Sequence, residues 1–144
     1  MSDMSDSLPI SILCVDDNRI VADAVAARMR REVGLRWIGH LACADDLAAV
    51  VSRERPFVIL LDVDMPGRDP FDVMSILLEK WPQCRVIIFS GHVQRELLDR
   101  AIQSGAWGYV SKSDGADAML DGILRVAADE FALSPEVRAI CGEI

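Results

Sequence analysis

A doubly wound α/β domain built on a five-stranded parallel sheet is the fold this chain predicts, and three observations carry that prediction. Short apolar runs alternate with longer stretches of helical periodicity through most of the 144 residues. The run Phe57 to Leu61 is apolar at every position, which suits a central parallel strand covered on both faces. Four of the runs end on a reactive polar residue, at Asp16-Asp17, Asp62, Ser90 and Lys112. In a parallel sheet the ends of the strands open on one edge, so these residues converge on a single crevice.

The elements follow in order. Ile10 to Val15 reads as the first strand and about Arg19 to Val33 as the first helix, capped by Asn18, with Ile20, Val21, Ala24, Val25 and Met29 on its apolar face. Leu35 to Leu41 is a weaker edge strand, and Asp45-Asp46 opens a second helix that ends before Pro56. After the third strand, a helix runs from about Phe71 to Lys80, where Trp81-Pro82 stops it because proline disfavours helical geometry in the residue before it. Arg85 to Phe89 is strand four. Val93, Leu97, Leu98, Ala101 and Ile102 then share one side of a helix opposite Arg95, Glu96, Asp99 and Gln103, and Gly105 ends it. Trp107 to Val110 is strand five, and Ala116, Leu120, Ile123, Leu124 and Ala127 form the expected buried stripe of helix five. From Phe131 the character changes: Ser134-Pro135 offers a serine cap and a proline at a first helical position.

Composition narrows the function. A net charge of −8 repels a nucleic-acid backbone, so direct nucleic-acid binding by this chain is not expected. No apolar run approaches the about 20 residues of a membrane span. Met1 to Ser7 is polar and acidic, unlike a secretory leader, so a cytoplasmic protein is expected. Cys14, Cys43, Cys84 and Cys141 contain no CxxC pair and are expected as reduced thiols.

Taken singly, each polar station has an ordinary structural reading. Asp16-Asp17 could be helix-opening acids, Asp62 the start of a turn, Ser90 a cap and Lys112 a solvated ammonium. Taken jointly they supply carboxylates for a divalent cation, a carboxylate nucleophile, a hydroxyl and an ammonium, which are the parts that phosphoryl transfer to an aspartate needs.

Over roughly Ile10 to Ala128 the chain resembles the receiver domain of two-component response regulators. The matching stretches are Val15-Asp16-Asp17, Leu61-Asp62-Val63-Asp64-Met65-Pro66-Gly67, Phe89-Ser90-Gly91 and Tyr109-Val110-Ser111-Lys112. The resemblance implies a flavodoxin-like receiver fold with sheet order 2-1-3-4-5. It divides the chain into a disordered segment over residues 1–8, a receiver domain over 9–130 and a C-terminal helix or linker start over 131–144. It also implies that Asp62 accepts the phosphoryl group and that Mg²⁺ is bound directly by Asp17, Asp62 and the Asp64 backbone carbonyl, with Asp16 acting through water. Lys112 would pair with the phosphoryl oxygens, and Ser90 and Tyr109 would carry the switch. The implied partner is a sensor histidine kinase or phosphotransfer protein, and a phosphorylation-biased homodimer is compatible with it. Gly108-Tyr109-Val110-Ser111-Lys112, followed by a helix and Leu133-Ser134-Pro135-Glu136-Val137, further resembles regulators that join a receiver to a LuxR-type helix-turn-helix domain, the NarL/FixJ-like class.

The chain departs from the family pattern at Pro70, where many receivers have glycine, and at Ser113, where many have proline. Pro70 is expected to alter entry into helix three, and a cis bond before Ser113 would cost about 2.5–4 kcal/mol. Asp64 and His92, two positions beyond Asp62 and Ser90, are expected to border the path of attacking water and to tune the lifetime of the phosphoryl group. His40 is read as a structural or exposed strand residue. Asp62-Val63-Asp64 also resembles the DxD signature of haloacid-dehalogenase-type phosphatases, but there the metal acids follow the motif, whereas Asp16-Asp17 precede it here. A degenerate receiver that binds without phosphorylation is disfavoured by the intact acids, Ser90 and Lys112.

Overall fold

The computed structural model describes residues 8–142. The strands are β1 (Ile10–Val15), β2 (Leu35–Leu41), β3 (Val58–Leu61), β4 (Arg85–Ser90), β5 (Gly108–Ser111) and β6 (Ala132–Leu133). The helices are α1 (Arg19–Arg30), α2 (Leu47–Glu54), α3 (Pro70–Lys80), α4 (Arg95–Gln103), α5 (Gly115–Ala127) and α6 (Pro135–Cys141), with a 3₁₀ turn at Lys112–Asp114. Among the described residues the strands form one sheet in the order β2-β1-β3-β4-β5-β6, and every neighbouring pair is parallel. The disordered segment expected over residues 1–8 lies, apart from Leu8, outside the described residues, as do residues 143–144.

Alternation along the strands divides the core in two. Ile12, Cys14, Leu60, Ile87, Phe89 and Val110 face α1 and α5. Leu13, Val15, Ile59, Leu61, Val86 and Ile88 face the other way, against α2, α3 and α4. All four residues of β3 are buried, as its unbroken apolar run requires.

Several elements differ from expectation. The sheet has six strands rather than five, because Gly108 pairs with Ala132 and Tyr109 with Leu133. Two residues are too short a run to show any periodicity. Ser134 stands at the N-cap of α6, but its hydroxyl makes no capping bond; instead it accepts from the Ser111 backbone N–H at 2.9 Å, tying the tail to β5.

Helix α5 is rotated relative to the expected stripe. It buries Met119, Gly122, Ile123 and Val126, while Leu124 is 48% exposed and Ala116 lies at the surface. A Cβ at Gly122 would stand 3.0 Å from Val110 Cγ2, so the glycine lets the helix lie close on β5, and the seam runs through it. Helix α1 likewise packs through Ala22, Val25, Ala26 and Met29, leaving Ile20 82% exposed and Ala24 at the surface. It ends at Arg30, short of the expected Val33. In α4, Leu98 and Ala101 are buried and Ile102 turns outward.

The caps follow local chemistry. Asn18 Oδ1 accepts from the backbone N–H groups of Ile20 and Val21, and Asp69 accepts from Phe71 N–H at 2.9 Å. Pro70 occupies the first turn of α3, where a missing N–H costs nothing.

Candidate functional site

Parallel register brings the strand ends level. Val15 lies beside Leu61, Leu61 beside Ile88, and Ser90 beside Ser111, so Asp16-Asp17, Asp62, Ser90 and Lys112 emerge on one edge. Asp16 and Asp62 are almost fully buried and Asp17 is exposed. Backbone bonds continue beyond the strands and set the acids in place: Asp16 N–H donates to Leu41 O and Asp62 N–H to Val15 O, both at 2.9 Å.

Lys112 Nζ lies between the two buried acids, 2.7 Å from Asp16 Oδ2 and 3.4 Å from Asp62 Oδ2. Asp16 Oδ1 accepts from Asn18 N–H at 2.9 Å, and Asp62 Oδ1 accepts from Asp64 N–H at 3.1 Å. Beyond Lys112, Asp16 Oδ2 has no other polar partner among the described residues. One oxygen from each of Asp16, Asp17 and Asp62 lies within 4.8 Å of the others. Three carboxylates thus face one ammonium, and a buried acceptor remains under-coordinated. That donor set fits a hard, oxygen-seeking cation.

Burial pushes the Asp62 carboxyl above the usual carboxylate range, while the Asp64 N–H and Lys112 pull the other way. Burial also works against the Lys112 ammonium, but its contacts with Asp16 and Asp62 outweigh that and leave its pKa raised. Under the acids, burial and then Asp16 push the Cys14 thiol up to about 12, so it remains a neutral packing group.

The opposite side of the crevice is built from hydroxyls. Ser90 Oγ accepts from His92 N–H at 3.0 Å and donates to Asp64 Oδ2 at 3.3 Å. The same Asp64 oxygen pairs with His92 Nδ1, and this bond raises the His92 pKa. Tyr109, fully buried, donates its hydroxyl to the His92 carbonyl. Burial drives the Tyr109 pKa up to about 12. Asp64 and His92, inferred from their spacing to border the crevice, therefore clasp each other across it and connect Ser90 to Tyr109. The Lys112-Ser113 peptide is trans.

Two features were not anticipated from the sequence. His40 Nε2 lies 2.6 Å from the Asp16 backbone carbonyl. The residue after Tyr109-Val110 links β5 to the tail, since Ser111 Oγ donates to Glu136 of α6. Glu136 N–H in turn donates to Asp114 Oδ2 at 2.9 Å, and Arg95 reaches the Cys141 carbonyl at 2.8 Å. With Val137 and Cys141 buried beside Tyr109 and Leu98, α6 covers part of the α4–β5 face. The signal for His40 is Gly39, a glycine inside a strand, which marks a bulge.

The fold and the crevice together define a class. The chain belongs to the response regulator receiver domain family, whose profile matches residues 12–123. Among curated proteins it is similar to the response regulator GacA of Pseudomonas aeruginosa, 29% identical over 128 residues that make up 89% of this chain and 60% of that protein. It is also similar to the transcriptional regulatory protein DegU of Brevibacillus brevis, 23% identical over 95% of this chain and 58% of that protein. The chain therefore spans about 60% of the length of these relatives. Among solved structures it shares its fold with a LuxR-family two-component response regulator from Aurantimonas, at a TM-score of 0.87 and 23% identity, covering 92% of this chain and 95% of that one. A CheY-like receiver domain protein from Methanospirillum hungatei aligns at a TM-score of 0.77 and 22% identity, covering 85% of this chain and 96% of that one.

Proposed function

We propose that this chain is a phosphorylation-dependent signal relay in which Asp62 takes a phosphoryl group from a phosphohistidine on a sensor histidine kinase or phosphotransfer protein. The observation that carries the reading is Lys112 Nζ, held 2.7 Å from Asp16 and 3.4 Å from Asp62. An ammonium in that position binds the transferring group's oxygens while leaving Asp62 in reach as nucleophile. An Asp62 oxygen attacks phosphorus, the P–N bond of the donor phosphohistidine, protonated on its other ring nitrogen, breaks with its electron pair going to nitrogen, and the neutral imidazole departs, leaving an acyl phosphate. Water attack later releases phosphate and restores the carboxylate.

Asp17, Asp62 and the Asp64 backbone carbonyl would hold Mg²⁺ directly, with Asp16 acting through water, and the ion would neutralise charge on the phosphoryl oxygens. The chain's own residues do the remainder. Ser90 exchanges its bond to Asp64 for a charge-assisted bond to the new phosphate, a gain that favours the exchange because about −1.5 to −2 charges have been added at Asp62. That exchange disturbs the Asp64–His92 clasp, and the disturbance reaches Tyr109 through the His92 carbonyl. Asp64 and His92 border Asp62 and tune how long the acyl phosphate survives.

The LuxR-family name of the Aurantimonas neighbour supports the LuxR-type class; within this reading residues 9–130 are the receiver, cytoplasmic and biased toward a homodimer by phosphorylation. Residues 131–144 serve as a C-terminal helix or as the start of a linker, and α6 lies within them. The net charge of −8 opposes direct nucleic-acid binding by the chain itself. Among the described residues no helix is long and apolar enough to cross a membrane. The test is stoichiometry. With a small acyl phosphate donor and Mg²⁺, the chain should take up one phosphoryl group and show no turnover of simple phosphate esters. Repeated release from many esters would make it a phosphatase instead.

A further inference from the structure

We propose that His40 is a positioning residue for the acidic pair, clamping the Asp16-Asp17 peptide by donating its Nε2–H to the Asp16 carbonyl. The inference rests on reading those acids as a divalent-cation site. Strand β2 begins in step with β1, Ile12 beside Trp37, and then skips a residue so that Leu13 lies beside Gly39 and Cys14 beside His40. Ile38 is the extra residue of a β-bulge, and Gly39 takes φ +156°, a value that side chains disfavour.

The bulge reverses which face each later residue presents. In step, His40 would enter the core on the α2–α3 side and Leu41 would leave it. With the bulge, Leu41 packs in that core, while His40 stands beside Cys14 on the opposite face, where its ring reaches the Asp16 carbonyl at 2.6 Å. A carbonyl oxygen can only accept, so Nε2 carries the proton.

Strand β2 consequently grips both polar groups of Asp16: Leu41 O receives the Asp16 N–H at 2.9 Å, and His40 binds the Asp16 carbonyl. Because a peptide is planar, fixing that carbonyl also fixes the amide of Asp17. Among the described residues no side-chain hydrogen bond holds the Asp17 carboxylate, so the backbone position that this clamp fixes is the constraint from which the side chain extends. An edge strand that touches neither the nucleophile nor the ammonium thereby sets the geometry of the cation ligands.

Calorimetric titration with Mg²⁺ alone, without any phosphoryl donor, tests this. Wild type should bind one ion and Asp17→Asn should lose it. His40→Ala should bind about 5- to 10-fold more weakly, the effect of one hydrogen bond, and His40→Gln, whose side-chain amide can still donate, should return to within about 2-fold of wild type. Wild-type affinity in His40→Ala, or equal weakening in both His40 variants, overturns the positioning role alone. Failure of wild type to bind Mg²⁺, or undiminished binding in Asp17→Asn, overturns the cation reading and the inference with it. A measurement on the unmodified protein guards against variants that do not fold. The chain has two histidines, and the long-range ¹H–¹⁵N spectrum should show His40 with Nε2 protonated. An Nδ1–H tautomer with a bare Nε2 would overturn the clamp.

Discussion

The two flanks of the crevice are built differently. On the β2-β1-β3 flank, backbone bonds from neighbouring strands hold the buried acids, and Lys112 supplies their counter-charge. On the β4-β5-β6 flank the groups are hydroxyls and an exposed histidine joined in series through Asp64, which reaches over from the loop after β3: Ser90 to Asp64 to His92 to Tyr109, with Ser111 and Glu136 extending the polar chemistry to α6. The first arrangement fixes charge before any ligand arrives. The second can exchange one hydrogen bond for another at little net cost, since each such bond contributes only about 0.5–1.5 kcal/mol. The fold places these two arrangements on either side of Asp62.

The largest effect expected from breaking that contrast is on the charged flank. Lys112→Ala leaves Asp16 buried without its counter-ion and should destabilise the protein by about 3 kcal/mol in urea denaturation. Ser90→Ala, on the other flank, should cost less than half as much. Next comes the tail. Glu136→Ala removes the acceptor of the Ser111 hydroxyl and should cost about 1–2 kcal/mol. Hydrogen exchange should then quicken over residues 135–141 and remain unchanged in α1.

Asp62→Asn should act in the opposite sense. Burial raises the Asp62 pKa, so the fold favours the neutral carboxyl and the ionised form weighs against stability at neutral pH. Without Mg²⁺ the asparagine variant should be more stable at neutral pH by on the order of 1 kcal/mol. Wild type should close the gap as the pH falls through the raised pKa toward the ordinary carboxylate value, because the folded state binds the proton first there. The smallest effect is spectroscopic. Tyr109 is the single tyrosine, so tyrosinate absorbance should appear near pH 12 rather than near 10 if the protein remains folded.

How far the sequence spoke for itself varied with the physics. Strand ends were legible because an apolar run followed by Asp or Ser marks both burial and exit, and parallel pairing then aligns residues as distant as Asp16 and Lys112. Asp64 and His92 were legible from spacing as neighbours of the crevice, though not as partners of each other. The α5 seam was not legible, since the helix lies close on β5 through Gly122, which a search for large aliphatic residues overlooks. Strand β6 is too short for periodicity, and the role of His40 depends on a bulge that reverses its facing.

The central claim is that one carboxylate, Asp62, is the acceptor among the acids gathered at this edge. Trapping the acyl phosphate by borohydride reduction after Mg²⁺-dependent labelling, followed by peptide mapping, locates the modified residue directly. The account predicts reduction at Asp62 alone, absent in Asp62→Asn and absent without Mg²⁺. Modification at Asp16, Asp17 or Asp64 in the wild-type protein, or undiminished labelling of Asp62→Asn, would contradict it.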